Sequence, residues 1–138
     1  MITVGSPLPE FALEDVHGDR LHSGDFTQQW IVLLFATQQS IKMIDEWYNT
    51  LVETFPKEQV ATLAIAILNQ LPSFVPESAI KVRLKQKTKT PLLMDMKGNV
   101  AMRFGIVEDG AYIVVVEPGQ TITFTGTTLD SAMAYLPL

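Results

Sequence analysis

The chain has 138 residues and not one is cysteine. That absence excludes disulfides, thiolate metal sites and thiol catalysis together. It also withholds the redox clue that cysteine usage gives to compartment. Charge is sparse too: Asp, Glu, Lys and Arg make up 18% of the residues, below the roughly 25% of an average domain. The balance is acidic, with a net charge of -5, whereas a general nucleic-acid binder is normally basic, so no nucleic acid is expected as a partner. The longest apolar runs, "IVLLFA" and "AIAIL", fall far short of the ~20 residues needed to cross a bilayer, so no membrane partner is expected either. The opening "MITVGSPLPEF" has no basic n-region and no apolar h-region, which argues against a signal peptide and for a cytoplasmic protein.

Several chemical signatures are also missing. There is no Walker motif and no GxGxxG for phosphates, no EF-hand pattern, and no G-x-S-x-G for a serine nucleophile. His17 and His22 flank a turn at a spacing that matches no metal motif, and two imidazoles alone rarely hold a metal. They read as surface residues, and neither a metal nor a cofactor is expected. Ser40, His22 and an aspartate form a triad on paper only.

What is present suffices for one α/β domain over 1–138. Hydrophobic residues are 47% of the chain, enough for a core without staples. No repeat or linker interrupts it. "FALEDVHGDRLHSGDF" reads as a hairpin turning at His17-Gly18-Asp19. Residues 31–36 and 60–68 are continuous β-rich runs, the pattern of strands covered on both faces. Between them Ile41, Ile44, Trp47 or Tyr48, Leu51 and Phe55 recur at helical spacing until Pro56 stops the helix. Over 71–89 a helix is expected from the length, with Ala79, Ile80 and Leu84 inward, although "IKVRLK" also alternates like a strand. "PLLMD" is a further strand and "MKGN" a turn. "VAMRFGI" is a short helical piece, and "AYIVVVEPGQTITFTG" a hairpin. "LDSAMAYL" is a last helix, with Thr127 or Thr128 as N-cap. Alternating β and α elements imply a mixed sheet, parallel in part, with helices on both faces.

In that order and spacing the motifs resemble the thioredoxin-like superfamily. The likeness is to its redoxin branch, the peroxiredoxins (alkyl hydroperoxide reductase/thiol-specific antioxidant group) and the TlpA/ResA-type thiol–disulfide proteins. "VGSPLPEFALEDVHGDRLHSGDF" is similar to the family opening and its N-terminal hairpin, "WIVLLFAT" to the first core strand, "TPLLMDMKGNVAMRFGI" to a cis-proline loop, strand and turn, and "AYIVVVEPGQTITFTG" to the final hairpin. The resemblance places Gln39 and Lys42 where Cys-x-x-Cys would stand. The peroxiredoxin proline and threonine before the reactive cysteine, and its arginine before the last hairpin, have no counterpart; Thr37 lies nearby without its proline. A helix N-terminus lowers the pKa of a thiol placed there, but a glutamine amide only donates and accepts hydrogen bonds. Gln38, Gln39 and Ser40 are expected to satisfy the helix-end donors. The resemblance further implies a cis Thr90–Pro91 bond beside that helix, with a groove between Gln39 and Pro91. The candidate binding face is therefore Thr37, Gln38, Gln39, Ser40, Lys42, Thr90 and Pro91, with no catalytic residue.

The functional expectation is a redoxin-type domain without thiol redox activity that binds a protein or peptide. Two other readings stay open: a redoxin-derived oxidoreductase using a cofactor or a partner's thiol, and a structural subunit of a homodimer. Lys81, Arg83, Lys85, Lys87 and Lys89, half of the ten basic residues, read as a solvated helix face or as a patch that steers anions.

Overall fold

In the computed structural model of the chain, which describes residues 2–137, the N-terminal segment folds back on itself. β1 (Ala12–Asp15) and β2 (Arg20–His22) pair antiparallel. In their turn Gly18 takes φ +91°, which glycine alone adopts without strain. The Asp15 carboxylate accepts the amides of His17 and Asp19 at 2.8 and 3.0 Å and so locks the turn. A 3-10 turn (Ser23–Phe26) leads to β3 (Trp30–Thr37), and a second (Gln38–Ser40) leads into α1 (Ile41–Thr54). Then follow β4 (Val60–Ile67), α2 (Glu77–Lys87), β5 (Leu92–Asp95), α3 (Asn99–Arg103), β6 (Ala111–Glu117), β7 (Thr121–Gly126) and α4 (Leu129–Met133).

All seven strands form one sheet in the order β2-β1-β5-β4-β3-β6-β7. β3, β4 and β5 run parallel; β6 runs antiparallel to β3, and β1 to β5. The unbroken apolar runs follow from this central position. Successive side chains of a strand point to opposite faces, and both faces of β3 are covered. Val32, Leu34 and Ala36 meet Ile44 and Leu51 of α1 and Ala132 of α4. Ile31, Leu33 and Phe35 meet Phe11, Val100 of α3 and Ile122 of β7. Each such Ile, Leu or Phe contributes about 1.5–3 kcal/mol by burial.

α1 buries Ile41, Ile44 and Leu51, with Trp47 and Tyr48 half-buried against the same cluster. It ends where Phe55 turns extended ahead of Pro56, as the residue before a proline favours. The segment 77–87 is a helix, so the alternation in "IKVRLK" is not a strand. Only Ile80 and Leu84 are buried; they are four apart and share one stripe. Ala79, expected inward, is exposed because it lies about 100° round the helix from Ile80. Thr128 does stand at the N-cap of α4, but its side chain makes no capping bond. No helix among the described residues is long and apolar enough to cross a membrane.

Candidate functional site

The site starts from the last residue of β3. The Thr37 amide donates to the carbonyl of Gly110 at 3.1 Å, and its Oγ1 accepts the Gly110 amide at 3.0 Å. Thr37 is buried, and this two-way bond holds the loop before β6 against the end of β3. Beyond it Gln38 and Ser40 are half-buried, while Gln39 and Lys42 are exposed. Ser40 is the N-cap of α1 and makes no side-chain capping bond, nor is the preceding 3-10 turn capped by a side chain. The expected amide caps are therefore absent, and a 3-10 turn separates the end of β3 from the first turn of α1. The Gln38 carbonyl instead accepts Lys87 Nζ at 3.0 Å.

Thr90 and Pro91 do not join this face. No cis peptide bond occurs among the described residues, so Thr90–Pro91 is trans and the expected cis bond is corrected. Register gives the reason. Thr37 stands level with Ile67 and Asp95, whereas the first paired residue of β5, Leu92, stands level with Ala64 and Leu34. That is three residues lower, roughly 10 Å at ~3.3 Å per residue, and Pro91 precedes Leu92. A strand parallel to β3 must begin toward the opposite end of the sheet. Only an antiparallel strand can begin beside the end of β3, and that strand is β6, preceded by Gly110. No sharp turn is needed at Pro91, and the ordinary trans preference of ~0.5–1 kcal/mol prevails. The clefts agree: Gln38 and Gln39 line one, and Thr90 lines another. The segment before Pro91 does reach α1 through Thr88, whose hydroxyl donates to the Asp45 carboxylate.

Two adjoining clefts open at the ends of β3 and β4. One, about 140 Å³, is lined by Gln38, Gln39, Ile67, Leu68, Gln70 and Leu71. The other, about 210 Å³, shares Ile67 and Gln70 and adds Thr37, Asn69, Met102 and Val107. Four side-chain amides thus surround one rim. Val107 and Met102 leave 76% and 58% of their surface exposed beside them, so the rim pairs amides with apolar surface. Two features fix the floor. Asp95, buried, accepts the amides of Val100 and Ala101 at 3.4 and 2.9 Å and anchors α3. Gly98, at φ +71°, lies so close to Asn69 that an added Cβ would stand 2.8 Å from its Cγ.

The rim has little chemistry beyond hydrogen bonding. Tyr112 donates its hydroxyl to the carbonyl of Glu108 at 3.0 Å. Partial burial, and then the charges of Glu108 and Asp109, push its pKa up. No group of three or more His, Asp or Glu side chains that could hold a metal ion occurs among the described residues. His17 and His22 are exposed. Gly110, Asn69, Gln70 and Val107 were not singled out from the sequence. The signal that finds them is strand direction, since loops leaving parallel strands and the loop starting an antiparallel one converge at the same end.

A larger cleft, about 450 Å³, lies at the other end of the sheet and is lined by Phe26, Tyr48, Val52, Phe55 and Leu63. It exists because β5 pairs with β4 only from Ala64 onward, leaving Val60–Leu63 without a neighbour on that side. Size alone does not make it the site: it lies at the other end of β4 from Thr37 and Gln39.

Comparison with known proteins agrees with the fold. The model of the AhpC/TSA family matches residues 4–126. No curated protein matches the chain. Among solved structures it is similar to the thioredoxin domain of a thiol-disulfide oxidoreductase from Bacteroides vulgatus, with 14% identity, TM-score 0.74, and 99% of this chain and 100% of that one covered. It is also similar to the exposed lipoprotein thioredoxin Etrx1 of Streptococcus pneumoniae, with 15% identity, TM-score 0.72, and 92% and 97% covered. An uncharacterized conserved protein from Geobacillus kaustophilus matches at 20% identity and TM-score 0.73, over 99% and 81%. At these identities the likeness is one of fold, and the fold is thioredoxin-like.

Proposed function

Because this chain belongs to the AhpC/TSA family and holds no cysteine, we propose that it is a non-covalent binding module that engages a polypeptide partner through the face at the end of β3 and the start of α1. Thiol exchange needs a thiolate, and the position the family resemblance assigns to one carries Gln39. Gln38, Gln39, Ser40 and Lys42, held by Thr37, form the core of the face. Thr90 and Pro91 do not belong to it.

The observation that carries this reading is the rim of four uncharged amides, Gln38, Gln39, Asn69 and Gln70, with exposed Val107 and Met102 beside it. Each amide offers both a donor and an acceptor, which matches the main chain of a peptide better than it matches an ion. The exposed apolar side chains supply the area that a weak polar contact lacks. The face also lies outside the carboxyl ends of the parallel strands, where sheets of this class place ligands.

A photo-reactive amino acid at Gln39 and, as a control, at Glu53 near the far end of α1 tests the reading in cells that make the full chain. A discrete adduct to one polypeptide from position 39, absent from position 53 and lost on Val107→Asp, is expected. The same adducts from both positions, or none from either, would overturn it. The purified protein should also reduce no insulin disulfide above buffer.

A further inference from the structure

The cleft at the other end of β4 from the amide rim follows the edge of that strand, and the edge is unpaired. In a parallel sheet the hydrogen-bonding groups of a strand alternate between its two neighbours. Trp30 donates its amide to the Gln59 carbonyl at 3.0 Å, so Gln59, Ala61 and Leu63 bond toward β3, and Val60, Thr62 and Ala64 face the β5 side. Ala64 stands level with Leu92, the first paired residue of β5. The next link would carry an amide of residue 91 to the Thr62 carbonyl, and Pro91 has no N–H to give. The ladder stops there. The Val60 amide is taken by the Pro56 carbonyl at 3.0 Å. The Val60 carbonyl and both main-chain groups of Thr62 have no strand beside them, and no other hydrogen bond reaches them among the described residues.

Apolar side chains flank this edge on both faces of the sheet. Tyr48 and Phe55 line the cleft and pack in the cluster under α1, while Phe26 and Leu63 line it and pack in the cluster on the opposite face. Val52, one turn after Tyr48, leaves 46% of its surface exposed there. Lys57 and Glu58 add one charge of each sign. An unpaired strand edge is a template for another extended chain: main-chain bonds give the affinity, and alternate side chains enter pockets on the two faces. We propose that the cleft binds a short extended segment of a partner polypeptide, added as a strand beside Val60–Leu63, with its apolar side chains set alternately against Tyr48 and Phe55 and against Phe26 and Leu63. One donor and two acceptors along a strand edge match a main chain and not an ion. A second copy of this chain fits less well. Four residues of edge span roughly 13 Å, whereas a stable dimer buries about 1,200 Å² or more, and two copies of net charge -5 repel each other.

The test is amide hydrogen exchange and NMR titration of the full chain. In the free protein at low concentration the Thr62 amide should exchange about tenfold or more faster than those of Ala61 and Leu63, which the ladder to β3 protects. The probe is the hexapeptide acetyl-Lys-Val-Leu-Val-Leu-Glu-amide. It should give saturable shifts over residues 60–64 and slow the Thr62 amide, while the amides of Gln39 and Asn69 stay fixed. The same peptide with its four central amides methylated keeps its side chains but cannot donate, and should bind about tenfold more weakly. Val52→Glu, at an exposed position that tolerates the change, should weaken the unmodified peptide about 5–10-fold by placing a charge against its apolar side chains. A Thr62 amide as protected as its neighbours in the dilute free chain would overturn the proposal. So would no saturable shift over 60–64, shifts at Gln39 and Asn69 in their place, or equal binding of the methylated peptide. Protection of Thr62 that appears on concentrating the free chain would assign the edge to a second copy and overturn it too.

Discussion

Two loops lead into the sheet near β3, and they differ in almost every respect. The loop ending at Gly110 delivers an antiparallel strand, reaches the end of β3, and is bonded both ways to Thr37. The loop ending at Pro91 delivers a parallel strand, starts lower on the sheet, and is braced within itself by the Thr90 amide donating to Thr88 Oγ1. Both contain residues that draw attention in a sequence, yet only the first helps to build the face at the helix end. Strand direction, not the presence of a proline, decides which loop stands beside the start of α1.

The largest test of that contrast is Ile113→Ala, in the seam that the Gly110 loop begins. Ile113 is fully buried opposite Leu34. Its truncation should cost about 2–5 kcal/mol in urea unfolding. A cost below 1 kcal/mol would mean that β6 is not the rigid partner of β3. Next comes Gly110→Ala. The glycine sits at φ +150°, and forcing an L-residue there should cost about 1–3 kcal/mol, read as a lower unfolding midpoint. An unchanged midpoint would show that the loop relaxes freely.

A sharper version compares two hydroxyls. Thr37→Val leaves the Gly110 amide without its acceptor and should cost about 1–3 kcal/mol. Thr90→Val removes a hydroxyl that bonds to nothing in the protein, and its unfolding midpoint should barely move. Equal losses in the two variants would contradict the bonding described here. The smallest effect is expected at Pro91→Ala. Pro91 is exposed and trans, so the main loss is the stiffness it gives the unfolded chain, about 0.4–1 kcal/mol. A larger loss would return Pro91 to the structural role that the family resemblance assigned to it.

Much of the architecture was legible beforehand. The runs at 31–36 and 60–68 are strands because both their faces meet helices, and an apolar run reports double burial directly. α1 was readable from its apolar stripe and Pro56, and the hairpin turns from Gly18 and Gly119. The site was less legible. The Thr90–Pro91 assignment failed because a sequence motif carries no direction along the sheet. Asn69, Gln70 and Val107 went unnoticed because isolated polar or apolar residues in loops have no period to betray them. The amide caps expected of Gln38 and Gln39 failed for a local reason, a 3-10 turn that composition does not announce.

By itself the sequence determined the α/β class, the order of elements and the absence of thiol chemistry, since these depend on residue type and on periods of 2 and 3.6 along the chain. The tertiary structure alone decided which loops meet. It brought Gly110 rather than Pro91 to Thr37 and gathered four amides from two loops into one rim. Those neighbours come from strand register and direction, which arise from pairings between segments that are distant in the chain and have no local signature.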